Sequence, residues 1–217
     1  MARNSALDLD RFRAAPLARA PYDHLVLADF IRPEAQAAIA ADFPMIDRGG
    51  SFPLSSLACG PAFRAAIDEL NGAEVQAAFA EKFAIDLAGR PTMVTARGMA
   101  RARDGEIHVD SRTKLLTVLI YMNPDWHAEA DSGAGHLRVL RSAGDIEDFA
   151  VEIPPAMGTM LAFRCGPQAW HGHKPFEGRR RSIQLNWVRD AGVVRREQWR
   201  HRLSAFAKRL LPQPGAD

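Results

Sequence analysis

"GEIHVDSRTKLLTVLIYMNPDW", residues 105–126, decides how the chain is read. It follows the turn signal Asp104-Gly105 and opens with His108 and Asp110, two positions apart. It then runs into "KLLTVLIYM" (114–122), which is apolar and β-branched and long enough for a buried strand. In an extended segment, residues i and i+2 point to the same side, so an imidazole and a carboxylate stand together at the head of that strand. Working outward, residues 92–102, 135–142, 158–164 and 181–188 also read as strands, set off by turns rich in Pro, Gly and Asp. Short strands at this spacing indicate a jelly roll or sandwich rather than βαβ units.

Upstream the pattern is different. Residues 22–30 suggest one strand. "RPEAQAAIAADFP" then has Pro33 at a first helical turn, Glu34 beside it and Pro44 at its end. "PAFRAAIDEL" and "GAEVQAAFAEKFAI" read as two further helices separated by Asn71-Gly72. "VVRREQWRHRLSAFAKRLL" (193–211) returns to helix, with Trp199, Leu203, Phe206 and Leu210 as its apolar stripe. The expected fold is α+β and β-rich. A helical N-terminal part covers about 1–90, a jelly-roll (double-stranded β-helix) core about 91–190, and a C-terminal helix about 193–211. All of it forms one domain over 1–217, since this length suits a single core.

Composition narrows the function classes. Hydrophobic residues make up 47% and charged residues 25% of the 217, the balance of a globular protein. A net charge of +2 supplies no global field for nucleic acid, which is not expected as a partner. Two cysteines, Cys59 and Cys165, are too few for a disulfide framework or a zinc cluster. No apolar run reaches membrane-spanning length, and "MARNSALDLDRFRAA" lacks the apolar stretch of a signal peptide, so the expected setting is cytoplasmic.

His108 and Asp110 make two corners of a metal site, although such a pair on its own is more often a solvated turn pair than a ligand pair. "CGPQAWHGHKPFEGRRRSIQLNWV" (165–188) offers His171 and His173 as a third corner. Two histidines and one carboxylate define the facial triad of non-haem iron centres, which leaves the opposite coordination face open. In the last strand, Arg181 shares parity with Ile183, Leu185 and Trp187. If that apolar row faces the core, Arg181 presents a guanidinium fork suited to a carboxylate. If it sits at the strand mouth, it snorkels to water.

These residues together resemble the iron(II)- and 2-oxoglutarate-dependent dioxygenase superfamily, in its prolyl 4-hydroxylase-like branch. That family carries His-x-Asp, a distal His, and an Arg or Lys about ten residues beyond it. Here these fall on His108, Asp110, His171 and Arg181, with Pro175 and Trp187 at family-like places. "IYMNPDW" (120–126) resembles the family's Tyr-Leu-Asn-x-x-Trp strand, and "GHLRVL" (135–140) its Gly-Gly-x-Leu strand. The likeness covers residues 20–190. It departs at Gly133-Ala134-Gly135, where the family has paired glycines, and in the short stretch between Asp110 and Tyr121.

The resemblance implies Fe(II) on His108, Asp110 and His171, with His171 preferred over His173 because ten residues separate it from Arg181. It implies 2-oxoglutarate chelating the iron, with Arg181 and Tyr121 on its far carboxylate. Thr117, His173 and Trp187 are then expected to line the pocket. O2 is the second cosubstrate, and ascorbate fits as an accessory reductant. The outcome is hydroxylation of a small-molecule, glycan or peptide substrate, with release of succinate and CO2. Two other readings stand beside it. In one, a non-oxygenase cupin-like barrel closes a four-ligand metal site with His173. In the other, the basic segment 189–209 binds nucleic acid or lipid and the barrel is a scaffold.

Overall fold

A computed structural model describes residues 5–126 and 133–192 of the chain. Helix α1 (Leu9–Ala14) is capped by Asp8, whose carboxylate accepts from the Arg11 amide at 3.0 Å. Strand β1 (His24–Leu27) leads to helix α2 (Pro33–Ala41), which starts on its proline. Helix α3 (Pro61–Leu70) buries Phe63, Ala66, Ile67 and Leu70 at i, i+3, i+4 and i+7. Helix α4 (Ala73–Phe83) buries Val75, Ala78, Phe79 and Phe83. The expected C-terminal helix over 193–211 lies outside the described residues.

The remaining strands are β2 (Phe52–Pro53), β3 (Thr92–Ala100), β4 (Lys114–Tyr121), β5 (Leu137–Leu140), β6 (Phe149–Ile153), β7 (Met160–Arg164), β8 (His171–Gly172) and β9 (Gly178–Val188). They form a six-stranded sheet in the order β1-β7-β4-β9-β3-β2 and a three-stranded sheet β6-β5-β8, with antiparallel pairing throughout. This is the β-rich jelly roll expected from the strand spacing. The sequence pattern did not reveal α1, β2, β6 or β8, which are short or only partly buried.

The large sheet has two unlike faces. Its outer face carries Ile183, Leu185 and Trp187 of β9 and packs against the helices in one apolar cluster. There Trp187 lies 5.5 Å from Phe79, which also stacks on Phe12 at 4.2 Å. Its inner face meets the small sheet through Tyr121, Leu161 and Phe163 on one side and Leu137, Val139 and Ile153 on the other. Two expectations need correction here. Arg181 and Trp187 do share an apolar row, but helices cover that row. Arg181 lies over the Phe43 ring at 5.2 Å and reaches the Ala40 carbonyl at 3.4 Å. The inward row of β9 is the polar one: Arg180, Ser182, Gln184 and Asn186. No helix among the described residues is long and apolar enough to cross a membrane.

Among the described residues, Trp187 has no hydrogen-bond partner for its buried indole N–H. An unsatisfied donor costs about 1–3 kcal/mol. Trp187→Phe removes that donor and keeps most of the ring, so it should shift stability by no more than about 1 kcal/mol. Trp187→Ala leaves a cavity and should cost about 3–5 kcal/mol in denaturant unfolding. Neither change should alter metal or cosubstrate binding in protein that remains folded.

Candidate functional site

His108 and His171 are brought together by backbone pairing. Each amide donates to the other residue's carbonyl at 3.0 Å, so the two form an antiparallel bridge that extends the small sheet beyond β8. Side chains directly opposite in such a pair stand on one face. The rings lie 4.3 Å apart, centroid to centroid. Asp110, two residues further on, completes a cluster in which one ligand atom from each residue lies within 4.8 Å of the others. Among the described residues no fourth metal-binding side chain joins this cluster. His171 is buried while His108 is exposed, so the group has a solvent side. A closed four-ligand site is therefore not what these residues form.

The protein has prepared all three side chains. Nδ1 of His108 lies 2.8 Å from the Glu106 carbonyl, and Nδ1 of His171 lies 2.9 Å from the Ala169 carbonyl. Donation to a carbonyl places the proton on Nδ1 and leaves Nε2 with its lone pair for a metal. Burial, reinforced by the neighbouring His108, pushes His171 down to about 4, so its ring is neutral near pH 7. Burial would raise the Asp110 carboxyl, but Lys114, His171 and Thr117 outweigh it and hold the group below its ordinary value. The Lys114 ammonium donates to Oδ1 at 2.6 Å, and the Thr117 hydroxyl donates to Oδ2 at 2.5 Å. The Asp110 side chain is only 8% exposed, so a carboxylate held charged there is suited to a cation. Two imidazoles and one carboxylate fit a first-row divalent metal such as Fe(II).

A second cluster lies deeper in the roll. Arg180 is buried, donating from Nε to the Gly135 carbonyl at 2.7 Å and from Nη2 to the Tyr121 hydroxyl at 3.2 Å. Its guanidinium carbon sits 5.1 Å from the Tyr121 ring centre. Burial raises the Tyr121 pKa against the opposing effect of Arg180, which keeps the phenol protonated. Among the described residues no carboxylate pairs with Arg180. Tyr121 packs in one cluster with Phe163, whose ring is 4.8 Å from His171. The aromatic layer thus links this cation to the histidine–aspartate group.

The other expected residues fall as follows. Thr117 sits beside Asp110 and also lies 2.9 Å from the Asn186 side-chain oxygen. His173 is buried, with Nδ1 2.8 Å from the Lys174 carbonyl, and lies near Arg180 rather than in the metal-ligating cluster. Arg181 and Trp187 are on the helix side. Cys165 is a free thiol 3.2 Å from Thr117, and burial, with Asp110 nearby, pushes it up to about 12. His136, which was not among the expected site residues, lies 3.4 Å from Glu152 and accepts from the Trp126 N–H at 3.4 Å. Sequence reasoning missed Arg180, Lys114 and Asn186. The signal for Arg180 and Asn186 was the polar parity of β9 taken as a row of its own.

Comparison with known proteins agrees with this arrangement. Residues 98–189 match the 2OG-Fe(II) oxygenase superfamily. The fold is similar to that of a Pseudomonas putida prolyl-4-hydroxylase, at 16% identity and TM-score 0.55, covering 77% of this chain and 92% of that one. It is also similar to the viral collagen prolyl hydroxylase of Paramecium Bursaria Chlorella virus-1, in a 2OG complex. There the identity is 14% and the TM-score 0.51, covering 76% of this chain and 96% of that one. No curated protein matches the chain by sequence.

The histidines predict a pH signature for the metal-free protein. His171 and His173 are both pushed from the ordinary 6.5 down to about 4, in each case first by burial. The unfolded chain therefore takes up these protons before the folded one, and stability is lost as pH falls from 6.5 towards 4. Each histidine contributes up to about 1.4 kcal/mol per pH unit in that window. Replacing either with Gln should flatten the slope of unfolding free energy against pH.

Proposed function

We propose that the chain is a member of the 2OG-Fe(II) oxygenase superfamily, whose pattern residues 98–189 match, and that it hydroxylates a substrate carbon with iron held by His108, Asp110 and His171. The cosubstrates are 2-oxoglutarate and O2. One oxygen atom ends in the new carboxylate of succinate and the other in the product hydroxyl, and CO2 leaves. The metal, when bound, supplies the redox chemistry that couples these events. The chain's own residues bind, orient and exclude water.

The observation that carries this reading is the buried Arg180 guanidinium, which touches the Tyr121 hydroxyl and has no carboxylate partner among the described residues. A buried cation without an anion is costly, and a ligand carboxylate removes that cost. We assign the far carboxylate of 2-oxoglutarate to Arg180 and Tyr121, in place of Arg181. The fork of Arg180 is already fixed by the Gly135 carbonyl and by Tyr121, so little rotamer freedom is lost on binding. Lys114 and Thr117 orient Asp110 by donating to its two oxygens. The helices and both sheets act in this reading as one oxygenase domain. The unpaired thiols Cys59 and Cys165 support a reducing, cytoplasmic setting.

Equilibrium binding of 2-oxoglutarate to Mn(II)-loaded protein tests the assignment. Arg180→Met removes a charged hydrogen-bond donor and should weaken binding by about 10- to 100-fold. Arg181→Met should stay within about twofold of wild type, because Arg181 packs on Phe43. The reverse pattern would return the carboxylate to Arg181. Asp110→Ala should abolish metal binding, read by metal content after desalting, whereas Thr117→Val should weaken it by about 10- to 100-fold.

A further inference from the structure

The inner face of the large sheet continues past Arg180 onto β3. Thr95 pairs with Gln184 and Arg97 with Ser182, so Thr95 and Arg97 share the inward polar row of β9. With Asn186, Met93 and Lys114 they line a cavity of about 280 Å³. One end of the cavity adjoins the metal-ligating group. Lys114 is 2.6 Å from Asp110, and Asn186 is 2.9 Å from the Thr117 hydroxyl that also bonds Asp110. Arg97 also belongs to this wall.

Arg97 is half-buried and, among the described residues, its guanidinium has neither a hydrogen bond nor an ion pair. Asp104, the acid nearby, is committed elsewhere. It accepts from Arg101 Nη2 at 2.8 Å, from Nε at 3.2 Å and from the Arg101 amide at 2.9 Å. Burial draws the Arg97 pKa down; Asp104 opposes this, and the like charges of Arg180 and Arg101 add to it. Lys114, the other cation of the cavity, is neutralised by Asp110. The cavity therefore presents one uncompensated fork, which calls for one negative charge. A carboxylate supplies that charge in matching planar geometry, whereas a phosphate monoester brings about −1.5 to −2. The volume, about 280 Å³, lies just below the range of about 300–1,000 Å³ for drug-sized ligands, which suits a compact molecule.

We propose that this cavity is the substrate site and that it takes a compact free acid, whose carboxylate pairs with Arg97 while Thr95, Gln184 and Asn186 bond its other polar groups. The proposal rests on the oxygenase reading above. Arg97 holds the acid at one point of the wall, and Asp110 marks where a substrate carbon comes within reach of the metal.

The test uses full-length iron-loaded protein and reads succinate formation from 2-oxoglutarate. The probes are amino acids, 2-hydroxy acids and dicarboxylic acids of small size, each paired with its carboxamide. At least one acid should accelerate succinate formation about tenfold or more, and its amide should not. Arg97→Met should lower kcat/KM for that acid by about 10- to 100-fold, and Arg97→Lys should recover part of it. Thr95→Val, a same-sized change in the cavity wall, should raise KM for the acid and gives a second reading if Arg97→Met folds poorly. Equal acceleration by acids and amides overturns the proposal, as does an Arg97→Met enzyme that titrates like wild type, or a panel in which no acid accelerates turnover. If Arg97→Met weakens 2-oxoglutarate binding as much as Arg180→Met does, Arg97 belongs to the cosubstrate and the assignment fails. Wild-type Mn(II)-loaded protein that binds no 2-oxoglutarate removes the oxygenase reading itself, and this proposal with it.

Discussion

The two backbone hydrogen bonds between His108 and His171, each 3.0 Å, carry the geometry of the site. Without them His108 would sit on a loop, which holds an imidazole less precisely than a paired segment does. Together with the His173 amide, which donates to the Gly105 carbonyl at 2.8 Å, the pair ties the 105–108 segment to the edge of the small sheet. Close approach beside it is permitted by glycine. A side chain on Gly172 would come within 2.9 Å of the Gly105 carbonyl, and one on Gly105 would strike the His173 ring at 2.3 Å. Gly105 also has φ +93, a conformation in which other residues are strained. The Asp104-Gly105 turn expected from sequence is thus also a packing requirement beside His173.

The opposite wall depends on the unlike faces of the large sheet. Phe12, Phe63, Phe79 and Phe83 from three helices supply enough apolar surface to bury Ile183, Leu185 and Trp187 on the outer side. That burial secures the sheet. The inner side is then free to spend its positions on Arg180, Ser182, Gln184 and Asn186, which would cost stability in an ordinary core. A ligand that satisfies Arg180 binds the folded state alone and adds to its stability by mass action. If 2-oxoglutarate binds as proposed, the Arg180 guanidinium couples cosubstrate binding to the stability of the fold.

The class of fold was legible because strand spacing and the run 114–122 are strong, local signals. The clustering of His108, Asp110 and His171 was legible because His-x-Asp is a short local motif and the family resemblance singled out the histidine ten residues before Arg181. The face of β9 was not. Period-2 alternation separates the two rows but does not say which row faces the second sheet. The assumption that the apolar row is the interior fails where helices cover a sheet on one side and a polar lumen lies on the other. Pairings such as Arg97 with Ser182 join residues 85 positions apart and have no local trace.

The run Arg179-Arg180-Arg181 shows how finely this is set. Arg179 is exposed, Arg180 is buried against Tyr121, and Arg181 lies over Phe43 on the helix side. Between the pairs Arg97–Ser182 and Met99–Arg179 the register shifts, so Arg180 and Arg181 together face Gly98. An extra residue at that point re-aims its neighbours, as bulges beside functional sites do. Gly98 has no room for a side chain, since one would lie 2.2 Å from the Ile46 carbonyl. The segment around Ile46 therefore presses on the strand where the register shifts. The bulge and this contact together decide which arginine enters the roll, so the chemistry of the pocket follows from backbone geometry at a glycine.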